Sequence, residues 1–139
     1  NIDAGIGRGQ LKVLNDRLAK KKEIYETYKD AFKDIPEIEM KPVPIDTKPN
    51  YWLSTMLLKE GSKVTPLNVM EALDKENIES RPIWKPMHMQ PVFEKYDFIK
   101  VEDKPVSEDI FARGVCLPSD TKMTKEEQQE VIRIIKELF

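Results

Sequence analysis

The sequence has 139 residues, 40% of them hydrophobic and 35% charged, which suits one domain with a core of its own and lies above the ~25% charge of an average domain. Lysine and arginine number 23 against 25 acidic residues, and the net charge of −2 leaves no basic field for nucleic acid or anionic lipid. One cysteine and one histidine exclude an internal disulfide and a Cys/His metal cluster, no apolar run approaches the ~20 residues that span a bilayer, and no secretory signal opens the chain.

A reducing, cytoplasmic setting is therefore expected. The chain opens on Asn1 inside a helical approach, which points to an excised piece of a longer protein. Leu11, Leu14, Leu18, Tyr25, Tyr28 and Phe32 recur at spacings of three, four and seven, one stripe of an amphipathic helix of about six turns over 11–32. Lys21 interrupts the stripe, within a Lys20 to Lys22 run that reads as a solvated face, and Pro36 stops the helix. So long a stripe exceeds what a small sheet covers, and its end nearest Asn1 calls for another surface. Pro36, Pro42, Pro44 and Pro49 then mark an extended connector.

Residues 51–58 read as a buried strand, and Gly61 turns the chain. Thr65 caps a helix with Pro66 at its first position; Leu67, Met70 and Leu73 form its inner face and Asn77 ends it. A short strand over 78–82 leads into an irregular loop, because no regular element tolerates the prolines between Ile78 and Pro91. Ser107 caps a helix ending at Gly114, and Val115, Cys116 and Leu117 form a strand closed by Pro118. Thr124 and Glu127 make a capping box for a last helix, whose core face is Val131, Ile134, Ile135 and Leu138. Three short strands with helices on one side predict an α/β fold of the two-layer, α+β sandwich type.

The chemistry is concentrated in the loop. Arg81, Trp84, Lys85 and His88 put cations, an indole and an imidazole on a segment stiffened by proline, which suits an anionic, hydroxyl-rich ligand. Gly5, Gly7 and Gly9 lack the strand and spacing of a dinucleotide fingerprint and read as a helix that packs closely on another domain or chain. Cys116 lies between apolar neighbours and reads as a buried, inert thiol. No paired-carboxylate, Ser-His-Asp or metal constellation stands out.

Four segments add a resemblance. The run from Asn1 through Gly5, Gly7 and Gly9 to Leu11 resembles the start of the last third of sugar aminotransferases of the DegT/DnrJ/StrS family. Asn50-Tyr51-Trp52-Leu53 is similar to that family's small-domain strand, residues 78–91 to its substrate-side loop, and Arg113-Gly114-Val115-Cys116-Leu117-Pro118-Ser119 to its closing strand. The resemblance implies the C-terminal small domain of a fold-type-I enzyme, with a short, mostly antiparallel sheet. It implies an intact enzyme that uses pyridoxal phosphate to move an amino group, generally from glutamate, to a keto-sugar nucleotide for amino-sugar and polysaccharide synthesis, as a homodimer. The Schiff-base lysine of the family's Ser-His-Lys motif has no counterpart, since His88 is followed by Met89, so the chain alone is expected to hold no cofactor and to be inactive. Arg81, Trp84, Lys85 and His88 carry over as substrate-side residues. The competing reading is a module that binds a nucleotide sugar or a protein without catalysis.

Overall fold

The computed structural model describes residues 1–101, 103 and 105–139. Its elements are α1 (Ile2–Leu11), α2 (Leu14–Phe32), β1 (Ile38–Met40), β2 (Ser54–Leu58), α3 (Pro66–Lys75), β3 (Arg81–Pro82), α4 (Val106–Arg113), β4 (Gly114–Leu117) and α5 (Lys125–Lys136). The strands form one antiparallel sheet in the order β1-β2-β4-β3. Period-two alternation in β2 sends Ser54, Met56 and Leu58 inward and leaves Thr55 and Leu57 half-buried on the other side. Register pairs Met56 with Val115 and Ser54 with Leu117, so β4 adds its apolar residues to the same inner face.

On that face α2, α3 and α5 close a single core. Ile24, Tyr28 and Phe32 come from α2, Val69 and Leu73 from α3, and Val131, Ile132, Ile134 and Ile135 from α5. Each large side chain so buried contributes roughly 1.5–3 kcal/mol. Gln128 is buried beside them with its amide donating to the Ile24 carbonyl at 2.9 Å, which offsets its desolvation. The capping box of α5 forms: Thr124 N donates to Glu127 at 2.7 Å and Glu127 N returns to Thr124 Oγ1 at 3.1 Å. Asn77, at φ 58°, ends α3 in the left-handed turn that lets Ile78 N reach the Leu73 carbonyl at 3.0 Å and Asn77 N reach Asp74 at 2.9 Å.

Several expectations shift. The first helix is two: the chain tightens at Lys12 and Val13, whose N–H groups bond back three residues to Gly9 and Gln10. Leu11 and Leu14 are exposed, and Ile24 takes their place in the core stripe. The connector after Pro36 contains β1, so the sheet has four strands. The strand expected over 51–58 begins at Ser54, since Tyr51 sits at φ 51°. In α3 the inner face is Val69 and Leu73, with Leu67 turned outward. Pro105 occupies the cap position of α4, and Ser107 lies inside that helix. The loop after β3 carries two single 3-10 turns, Met87–Met89 and Pro91–Phe93.

Candidate functional site

The face of the sheet turned away from the three large helices carries Leu57, Gly114 and Cys116, and α4 approaches it from one end. Approach is close there: a Cβ on Gly114 would lie 2.3 Å from Ile83 Cγ1 and 2.6 Å from the Ile110 carbonyl oxygen. Only glycine permits α4 to turn straight into β4 while β3 lies alongside. The ladder sets Arg81 opposite Cys116 and Pro82 opposite Val115, which delivers the proline-rich loop to this face.

A cleft of about 680 Å³ results, with Glu79 to Lys85 on one side, Trp52 and Leu53 on another, and Phe111, Cys116 and Pro118 to Ser119 between them. Arg81, Trp84 and Lys85 therefore meet at one place, as the loop chemistry suggests. Arg81 Nε donates to Glu79 Oε1 at 2.8 Å, an exposed pair of the kind that contributes little in water. Lys85 has no acidic partner among the described residues. The indoles of Trp52 and Trp84 tilt against each other with centroids 5.7 Å apart, and both are mostly exposed. The Ser80 hydroxyl, shielded from solvent in the cleft wall, has no hydrogen-bond partner among the described residues.

His88 does not line the cleft. Its Nε2 lies 2.8 Å from Glu108 Oε1 of α4, and its ring stacks flat on Phe98 at a centroid distance of 3.6 Å. Its contacts fasten the loop to α4. Cys116 is buried at the cleft floor, where burial pushes its thiol up, the behaviour of an inert cysteine. Gly5, Gly7 and Gly9 lie within α1 with nothing within 4 Å of an added Cβ.

Residue-type reasoning missed Lys21. Rather than a solvated face, it reaches from α2 to the backbone carbonyls of Trp52, at 3.0 Å, and Ser119, clasping two segments of the cleft together. Burial lowers its pKa, and Asp120 nearby works in the opposite direction. The Ser119 hydroxyl extends the clasp: it accepts from Ser54 N at 3.0 Å and donates to the Leu117 carbonyl at 2.9 Å. The signal was present in the sequence as the one lysine that interrupts an apolar stripe. Among the described residues no cluster of His, Cys, Asp and Glu could hold a metal ion, and no helix is long and apolar enough to cross a membrane.

Comparison with known proteins adds a family and a scale. A sequence profile of the DegT/DnrJ/EryC1/StrS aminotransferase family matches residues 1–136. The chain is 41% identical over 140 aligned positions to EpsN of Bacillus subtilis (strain 168), whose name carries the words pyridoxal phosphate-dependent aminotransferase, and covers 36% of that protein. It is 29% identical to a GDP-perosamine synthase of Caulobacter vibrioides, again over its whole length and 37% of the relative. Among solved structures, 97% of the chain superposes on 35% of S. venezuelae DesV with a TM-score of 0.83 at 18% identity, a likeness of fold. The chain thus spans about a third of the proteins it matches.

Proposed function

The chain belongs to the DegT/DnrJ/EryC1/StrS aminotransferase family, and from that membership we propose that it is the small C-terminal domain of a pyridoxal-phosphate-dependent enzyme that transfers an amino group from glutamate to a keto-sugar nucleotide for glycan synthesis. The observation that carries this reading is the convergence of Arg81, Trp84 and Lys85 on one cleft in a chain that the family profile matches almost end to end.

The residues present do not make a cradle for the cofactor. Lys21 has its ammonium donors on two carbonyls, and His88 is engaged with Glu108. Pyridoxal phosphate, when bound by the remainder of the intact protein, supplies the electron sink of the reaction. This chain's share is to bind and orient the acceptor. Arg81 offers a planar fork that fits two phosphate oxygens, Lys85 a compact charge beside it, and Trp84 an apolar face for a ring. Proline at 82, 86 and 91 stiffens the segment, reducing the entropy lost when the ligand docks.

The test is steady-state kinetics of the intact protein. Arg81→Ala and Lys85→Ala each remove a charge-assisted hydrogen bond, about 1.5–3 kcal/mol, and are expected to lower kcat/KM for the sugar nucleotide roughly ten- to a hundredfold while leaving folding intact. Wild-type turnover by both variants at every substrate concentration defeats the assignment.

A further inference from the structure

A second cleft, of about 510 Å³, adjoins the first and shares Trp52, Leu53 and Trp84 with it as a common wall. Building on the nucleotide-sugar reading above, we infer that this second cleft and its tryptophan wall take the nucleobase of the substrate, leaving the larger cleft to the diphosphate and sugar. The chemistry of the two spaces divides in that way. Arg81 and Lys85 stand in the larger one. The smaller has aromatic walls, Tyr51 and Trp52, and a polar edge formed by Lys41 and Asn50.

The backbone is built to present Trp52. Tyr51 holds φ 51°, a conformation costly for a side chain of its kind, and its ring rests on Tyr25 at 5.2 Å. Asn50 Oδ1 accepts from Trp52 N at 3.0 Å, and Lys21 donates to the Trp52 carbonyl at 3.0 Å. Three independent restraints thus converge on a residue whose indole is 64% exposed and adds nothing to the core. A large aromatic held rigidly in the open, at the junction of a cationic cleft and an aromatic one, suits a planar ring carrying phosphates. Stacking of this kind tolerates different bases, because each has a π-face.

The chain contains two tryptophans, both in this wall, so fluorescence excited selectively at tryptophan reports on the site. Titration with GDP is expected to quench it saturably, whereas inorganic pyrophosphate, which engages only the cations, leaves it unchanged. Trp52→Ala is expected to weaken GDP about five- to a hundredfold, the range of one base stack, with pyrophosphate affinity by calorimetry unaltered, and Trp52→Phe to bind within about twofold of wild type. Since the indole is exposed, circular dichroism of both variants is expected to match wild type. Absence of saturable quenching, or equal GDP affinity in Trp52→Ala, overturns the inference. In the intact protein the two readings separate. A wild-type KM for the sugar nucleotide in Trp52→Ala removes the base subsite and leaves the aminotransferase reading standing. GDP binding as described, in a protein that aminates no sugar nucleotide, removes the aminotransferase reading and upholds the subsite.

Discussion

Tyr28 is fully buried in α2, and its hydroxyl donates to the Pro118 carbonyl at 2.9 Å, so one side chain joins the core to the segment that closes the cleft. Burial drives its pKa well above the ordinary tyrosine value of about 10. In the unfolded chain the phenol loses its proton as pH passes that ordinary value, while in the folded chain it keeps it. The folded state then binds more protons, and stability falls as pH rises. Tyr28→Phe is expected to be about 1 kcal/mol less stable than wild type at pH 8, with the gap narrowing above pH 10. Urea midpoints measured from pH 8 to 11 check this; a gap of constant size across the range removes Tyr28 from the alkaline response. Lys21 works at the same scale by opposite means, holding a charge in a half-buried place because two carbonyls need its donors.

At the scale of elements, α5 is the helix most completely written in the sequence. Its cap and its apolar face follow from local chemistry, although it ends at Lys136 and leaves Leu138 outside, and Thr124→Ala is expected to cost about 1 kcal/mol in urea denaturation, against a few tenths for Thr124→Gly. Loss of an equal amount in both variants would place the effect outside the capping box. β2, α3, β4 and the loop with Arg81, Trp84 and Lys85 were legible for the same reason, since period, caps and prolines are local signals. What was not legible depended on distant partners. β1 is three residues long and acquires its identity only by pairing with β2, as Ile38 does with Leu58. The break between α1 and α2 has no proline, and Leu11 and Leu14 continue the apolar spacing although nothing covers them. Within the site, Trp52 and Lys21 are 31 residues apart and meet only in the fold. His88 read as a ligand contact because Glu108 and Phe98, which engage it, are remote in sequence.

For the whole molecule, α1 is the element that the fold does not explain. It buries none of its residues, and Ile2 and Ile6 are exposed at 82% and 59%. The relatives are nearly three times as long as this chain, and a protein of their length would have surface to cover this helix. Residues 1–12 are expected to exchange amide hydrogens quickly in the 139-residue chain and to become protected in the intact protein. Equal protection in both would show that α1 needs no partner.

The Arg81–Cys116 pairing and the Gly114 corner together make a closed base for everything between β3 and α4. Both ends of that excursion are anchored on the same strand, one by ladder bonds and one by the chain itself. Closing such a loop costs only about 0.6 kcal/mol more for each doubling of its length. Insertions or deletions beyond Lys85 are therefore expected to leave the sheet register and the helical core untouched. The segment between β3 and α4 is thereby free to vary in length as the rest of the domain is not.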